Sequence, residues 1–169
     1  KVLPMIEVFP LEQAAAAFQR ALAAQRAGQR TTMETELRQT LGQDPSHRLA
    51  REMLAASLYR AGRLEEAKQV LRGGITETSA PISLRKILAR ILVDQGAPEE
   101  AALALLQGGP PPVAQDTEFH QLLGAIYQRT GQYSAAAQTY RQLLTVKRET
   151  GAWWLGLGLA LESSRSLPE

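Results

Sequence analysis

The sequence predicts an all-α fold, a right-handed superhelix (α-solenoid) of about four and a half helical hairpins. Apolar residues recur three and four positions apart, which is the period of an amphipathic helix. Three series of small residues then repeat every 34 or 35 positions: Gly28, Gly62, Gly96 and Gly131; Ala21, Ala55, Ala89, Gly124 and Gly158; and Ala67, Ala101 and Ala136. One hairpin cannot bury its own apolar face, so a repeat of this length predicts stacked hairpins.

The phase of these series sets the expected boundaries. Residues 1–10 contain two prolines and predict an extended lead-in, with a short edge strand as the alternative. A single domain is predicted over residues 11–169. Its repeats are expected at approximately 11–45, 46–79, 80–113 and 114–150, with a half repeat at 151–169 that contains only a first helix. Each hairpin is expected to turn at its glycine, where a positive φ ends the first helix.

Local signals place several helix ends. Ser46 is a plausible N-cap for the first helix of repeat two. Pro98, followed by two glutamates, is typical of a first helical turn and opens the second helix of repeat three. The pair Gly73-Gly74 either ends a helix or lies inside it at a close-packed position, and the sequence leaves both readings open. The segment 108–112, GGPPP, is interpreted as a stiff turn between repeats because the repeat phase continues across it.

Composition excludes several classes of function. The chain has 169 residues, of which 44% are hydrophobic and 21% charged, and its net charge is +2. No basic block is present to bind nucleic acid or a membrane surface. Cysteine is absent, which excludes disulfides and thiolate metal sites. No apolar run is long enough to insert into a membrane. Because the first residue is Lys1 rather than methionine, we expect a fragment of a longer protein.

Catalytic chemistry is not expected. His47 and His120 lie in different repeats without a partner histidine at ligand spacing, which favours packing over metal binding. Gly156 and Gly158 begin a pattern similar to a phosphate-binding glycine loop, but Leu161 stands where the third glycine belongs. The sequence therefore predicts no enzyme, no cofactor and no metal site.

The expected partner-binding surface is the concave face formed by the first helices. By repeat phase we assign to it Phe18, Leu22, Tyr59, Arg60, Lys86, Arg90, Gln121 and Arg129, together with Val93 and Gln128. Lys86 and Arg90 are neighbours on one helix face and predict a basic stripe for acidic side chains of a peptide. The alternative interpretation is ordinary solvated charge.

The C-terminal end predicts a second surface. Trp153 and part of Leu157 are expected to be buried against the second helix of repeat four. Trp154, Gly158 and Leu161 are expected to face the opposite side. Trp154, Leu157 and Leu161 are therefore assigned to an open-end interface, because an uncovered apolar stripe marks an interaction surface. A homodimer through this end is our hypothesis.

The repeat length, the turn glycine and the small residue of the first helix resemble tetratricopeptide repeats. That resemblance implies a protein–protein interaction scaffold. Phe18 and Leu22 occupy the first-repeat positions at which chaperone-binding members carry a carboxylate clamp, so binding of chaperone tails is not expected.

A more specific resemblance covers residues 108–162. The sequence GGPPPVAQDTEFHQLL, followed later by GAWWLGLGLALE, is similar to the C-terminal repeat region of MSHA pilus biogenesis proteins of the MshN type. The resemblance implies a periplasmic domain of an inner-membrane-anchored protein that helps to assemble a type IV pilus, with other assembly components as partners. The alternative is a cytosolic peptide-binding or regulatory repeat module unrelated to pili.

Overall fold

The structure is a computed structural model that describes residues 8–165. This part of the chain is formed by nine α-helices and contains no β-strand. The helices are α1 (Val8–Arg26), α2 (Arg30–Gln43), α3 (Arg48–Arg60), α4 (Leu64–Arg72), α5 (Ile82–Asp94), α6 (Pro98–Leu106), α7 (Thr117–Arg129), α8 (Tyr133–Val146) and α9 (Gly151–Arg165). The predicted all-α fold of helical hairpins is confirmed.

Each hairpin turns at the predicted glycine. The φ angles of Gly28, Gly62, Gly96 and Gly131 are 69°, 73°, 75° and 75°. In every turn the amide of the following residue donates to the carbonyl five positions earlier at 2.9 Å, for example from Arg63 to Leu58. This bond satisfies a carbonyl that the helix end would otherwise leave free, and it requires the left-handed conformation that glycine adopts without strain.

Two local predictions are wrong. Helix α1 begins at Val8, so residues 8–10 are helical rather than extended, and residues 1–7 lie outside the described part of the chain. Pro10 falls in the first helical turn, where no amide is needed for an intrahelical bond. The N-cap of α3 is His47 instead of Ser46: its Nδ1 accepts from the amide of Ala50 at 3.2 Å. Ser46 Oγ donates to Asp44 Oδ1 instead.

By its contacts the chain divides into two compact units, Lys1–Leu84 and Arg85–Glu169. The prediction of a single domain over 11–169 stays a prediction.

In the first unit, α1 packs closely against α2. Ala14, Ala17, Ala21 and Ala24 are all buried, and Leu37 of α2 is fully buried. Arg51 of α3 extends to the end of α4, the second helix of its own hairpin. Its guanidinium donates to the carbonyls of Val70 at 2.8 Å and Pro45 at 2.6 Å.

Arg51 also explains the glycine pair that the sequence left undecided. Helix α4 ends at Arg72, and Gly73 and Gly74 follow it. A Cβ at Gly73 would lie 2.8 Å from Arg51 Nη1, and one at Gly74 would lie 2.7 Å from Arg51 Nε. The pair therefore ends the helix, and its missing side chains leave room for the buried guanidinium.

The core of the second unit is built around α8 and α9. One cluster of buried residues contains Ala136, Ala137, Tyr140, Leu143, Leu144, Trp153, Leu157 and Ala160. The ring of Tyr140 lies against two glycines, Gly124 of α7 and Gly156 of α9. At these two positions the absence of a side chain lets the helices approach the ring closely, and burial raises the pKa of the Tyr140 hydroxyl.

A pair of substitutions in α9 tests this packing. A Cβ at Gly156 would lie 2.6 Å from Cε1 and 2.8 Å from Cε2 of Tyr140, and Gly124 leaves the ring no free space on α7. We expect Gly156→Ala to lower the free energy of unfolding by about 1–3 kcal/mol through overpacking. Chemical denaturation of both proteins measures the difference.

Gly158→Ala is the matched control. A Cβ at Gly158 meets nothing within 4 Å, and alanine is the better helix former by about 1 kcal/mol. We expect this variant to be as stable as the wild type or more so. Equal effects of the two alanines would contradict the close contact with Tyr140.

Candidate functional site: interaction surfaces

Four first-helix side chains at one repeat position, 34 or 35 residues apart, each contact the start of the next hairpin. The rings of Phe18 and His47 are 4.5 Å apart. Glu52 accepts a hydrogen bond from Ser83 Oγ. Gln121 Oε1 accepts from Trp153 Nε1 at 3.0 Å. Lys86 makes the fourth contact, with Asp116 and Glu118 of α7. We call Phe18, Glu52, Lys86 and Gln121 the linking side chains.

The contact of Lys86 is an ion-pair network. Its Nζ lies 3.0 Å from Asp116 Oδ2 and 2.8 Å from Glu118 Oε2, and Arg90 pairs with the other oxygen of Glu118. Hydrogen bonds from Lys86 and then Arg90 lower the pKa of Glu118 to about 2. Although desolvation opposes the change, the two carboxylates raise the pKa of Lys86. Asp116 also caps α7 by accepting from the amide of Phe119 at 2.9 Å.

This network corrects the sequence interpretation of a free basic stripe. Lys86 and Arg90 were expected to offer their charge to acidic groups of a peptide. The carboxylates that they bind belong to Asp116 and Glu118 of the same chain, so the stripe is already neutralised. Phe18 and Gln121 were also assigned to the partner surface. Both side chains contact the next hairpin of the same chain.

The other predicted groove residues are not brought into one cluster. Leu22, Val93 and Gln128 are half-buried, and Gln128 Nε2 donates to Ser163 Oγ. Tyr59, Arg60 and Arg129 are exposed. Arg60 lines an open cavity of about 320 Å³ in the first unit, with Gln25, Gly28, Arg30, Met33 and Ser57. Their role in binding a partner stays a prediction.

Helix α9 confirms one part of the open-end prediction and corrects another. Trp153 is buried in the cluster around Tyr140, as predicted. Leu157 is buried too, and Leu161 packs against the same cluster, so neither is exposed for a partner as the interface assignment requires. Because the helix turns 100° per residue, positions 153, 157 and 160 lie on one buried face. Position 161 lies at the edge of that face.

The exposed apolar side chains of α9 are instead Trp154, Leu155 and Leu159, which are 53%, 65% and 47% exposed. The sequence interpretation missed both leucines. Repeat phase is a signal that identifies Leu155, because this residue stands at the position of the linking side chains.

A cavity of about 530 Å³ adjoins this face. It is lined by Arg141, Leu144, Thr145 and Arg148 of the α8 segment and by Trp154 and Leu157 of α9. Trp154 Nε1 donates to the carbonyl of Arg148 at 2.7 Å, which fixes the indole at the rim. Neither Arg141 nor Arg148 has a carboxylate partner within residues 8–165. The arrangement offers apolar area beside two unpaired positive charges.

Both histidines have structural roles. His120 Nε2 contacts the carbonyl of Pro111 at 2.7 Å in a buried position, and His47 is a helix cap. Over the described residues, no three histidine, cysteine or acidic side chains are placed to share a metal ion. None of the described helices is both long and apolar enough to span a bilayer.

The ion-pair network predicts a pH dependence. Since the pKa of Glu118 is about 2 in the folded chain, against an ordinary 4.5, its stabilisation is complete above about pH 5 and is lost as the pH falls towards 2. We expect Glu118→Gln to cost at most about 1 kcal/mol at pH 7, because the carboxylate is largely exposed. The difference from the wild type should shrink as the pH falls through this window, in urea denaturation at each pH.

Glu149→Gln is the control for this series, because Glu149 is exposed and has no ion-pair partner among the described residues. It should match the wild type at every pH. A penalty for Glu118→Gln that stays constant from pH 7 to pH 3 would contradict the network.

Comparison with solved structures shows a shared fold. The crystal structure of MamA protein has a TM-score of 0.72 at 19% identity, over 91% of this chain and 84% of that one. YrrB, described as a TPR protein with an unusual peptide-binding site, has 0.74 at 17% identity, over 90% and 78%. The pilF protein of Pseudomonas aeruginosa has 0.70 at 21% identity, over 91% and 70%. At these identities the likeness shows the fold alone.

Sequence comparison identifies the family. No curated protein sequence is significantly similar to the chain. Residues 8–154 match the family model described as a tetratricopeptide repeat-like domain, which is not an enzyme family. This match covers most of the chain and agrees with the helical hairpins and the turn glycines. The chain belongs to the tetratricopeptide repeat-like family, whose domains bind protein partners as interaction scaffolds.

Proposed function

We propose that this chain is a protein–protein interaction scaffold in the assembly of an MSHA-class type IV pilus. In this proposal it lies in the periplasm as part of an inner-membrane-anchored protein, and its partners are other pilus-assembly components. The observation that carries the scaffold role is the array of linked hairpins in a tetratricopeptide repeat-like domain. Within each unit, a hairpin that packs on its neighbour presents its exposed side chains in a fixed arrangement, as a scaffold requires.

The pilus part rests on the resemblance of residues 108–162 to repeat regions of the MshN type. In the structure this segment contains the loop before α7, the hairpin α7–α8 and most of α9. Two of its distinctive residues have structural roles in this chain: His120 contacts the carbonyl of Pro111, and Trp153 anchors α9 in the core. The pilF structure has the same fold and adds no more than that.

Two alternatives remain open to experiment. A cytosolic peptide-binding or regulatory module is compatible with the same fold, since the described helices carry no signal for a compartment. A homodimer through the C-terminal end is the second partnership suggested by exposed Trp154, Leu155 and Leu159. A self-complementary contact of this kind would close as a dimer.

Cross-linking in the source bacterium tests the proposal. We expect the protein, tagged and cross-linked in intact cells, to be recovered from the envelope fraction with pilus-assembly proteins, and its deletion to remove surface pili. Quantitative mass spectrometry of the cross-linked complexes and electron microscopy of the cells are the measurements.

The double variant Trp154→Gln/Leu159→Gln has a polar α9 face and should keep the fold, because both residues are exposed. The proteins cross-linked to this variant are compared with those cross-linked to the wild type. Recovery of the protein with cytosolic proteins alone, together with normal piliation of the deletion strain, would contradict the proposal.

A further inference from the structure

One repeat position changes from buried to exposed at the last helix. Arg51, Arg85, His120 and Trp154 stand at the same place in α3, α5, α7 and α9, 34 or 35 residues apart. The first three are 8%, 3% and 5% exposed, whereas Trp154 is 53% exposed. The face of α9 that carries Trp154 is therefore the face that its counterparts bury.

The glycines at the next turn of the same face show what the covering element is. In α7, a Cβ at Gly124 would lie 3.0 Å from the ring of Tyr140, which belongs to the second helix of that hairpin, α8. In α9, a Cβ at Gly158 would meet nothing within 4 Å. The uncovered position is one at which the chain elsewhere places a helix with a large side chain.

The charges beside this face indicate which charged side chain such a helix would carry. Arg141 stands at the repeat position of Arg38, and Arg38 Nη2 lies 3.1 Å from Glu66 Oε2 in the first turn of α4. Arg141 and Arg148 line the cavity next to Trp154 and have no carboxylate partner among the described residues. The precedent within the chain is an arginine paired with an acidic residue at the start of the following second helix.

We propose that the surface formed by Arg141, Arg148, Trp154, Leu155 and Gly158 docks an amphipathic helix of a partner protein. That helix carries a carboxylate in its first turn, which pairs with Arg141, and a large apolar side chain five residues later, which covers Gly158. Glu66 and Leu71 of α4 have this spacing, and so do Glu100 and Leu105 of α6. We call Arg141, Arg148, Trp154, Leu155 and Gly158 the C-terminal docking surface. The inference deepens the proposed scaffold function and rests on it for the source of the partner.

A second copy of the chain fits this surface less well. Self-pairing would add another Arg141 and Arg148 to a surface that already has an excess of positive charge. The acidic residue that α9 itself contributes is Glu162, which already has an interaction partner. Like charges brought together at an interface disfavour the wrong partner, so charge selects an acidic helix over a second copy.

A peptide with the sequence of α4, residues 64–72, is the probe. Short isolated helices are marginal in water, so the peptide is acetylated and cross-linked between positions 65 and 69, both of which are exposed in the chain. The chain has two tryptophans, both in α9, and the peptide has none. Because Trp153 is buried and Trp154 exposed, quenching of fluorescence by acrylamide reports on the cover over Trp154.

We expect saturable protection of Trp154 below about 1 mM peptide. Replacing the glutamate at peptide position 66 by glutamine should weaken binding about threefold, as expected for one exposed ion pair. Arg141→Gln in the chain should weaken binding equally and remove the difference between the two peptides. Arg26→Gln, which changes an exposed arginine of α1 outside every assigned surface, should bind both peptides like the wild type.

Three results would overturn the inference: no protection at about 1 mM, equal binding of both peptides to the wild type, or protection that appears without peptide as the chain itself becomes concentrated. Light scattering identifies the last case as self-pairing. The assay uses the purified chain, so its result is independent of piliation. Envelope partners captured equally well by wild type and Arg141→Gln would leave the scaffold role intact and place the partner on another face.

Discussion

The structure depends on the contact between the first helix of one hairpin and the start of the next hairpin. A single hairpin leaves apolar area uncovered, so each hairpin is stable only in the register that its neighbour accepts. The linking side chains set that register at a single repeat position. They do so with four different chemistries: an aromatic pair at Phe18, a carboxylate–hydroxyl bond at Glu52, an ion-pair network at Lys86 and an amide–indole bond at Gln121. Each contact lies within one of the two compact units.

A second repeat position satisfies carbonyls in the last turns of α4 and α6 and in the loops at Pro45 and Gly109. Arg51 donates to Val70 and Pro45, and Arg85 donates to Leu105 and Gly109. The last carbonyls of a helix have no partner within it, so a buried guanidinium can bind several of them at once. Desolvation lowers the pKa of both arginines, a cost of burial that these hydrogen bonds offset.

The periodic features of the fold were predictable from the sequence, and the contacts between repeats were not. Gly28, Gly62, Gly96 and Gly131 determine the turns because the left-handed conformation is a local requirement that only the backbone has to meet. The engagement of Lys86 depends on Asp116 and Glu118, about thirty residues away in the next hairpin, and no local pattern reports such a pairing. The exposed face of α9 was misassigned for a related reason. Whether Leu161 is covered depends on its contact with the buried cluster of α8 and α9, which the local pattern does not report.

The four chemistries of the linking side chains have a consequence for the order of the hairpins. Repeats of nearly equal length and similar shape are open to exchange by recombination, since any hairpin fits roughly where any other does. Here an exchanged hairpin would set Lys86 beside the residues that Gln121 now meets, or Glu52 beside an acidic turn made for a cation. The hairpins are therefore not interchangeable, because one side chain in each hairpin matches the contact that the next hairpin offers.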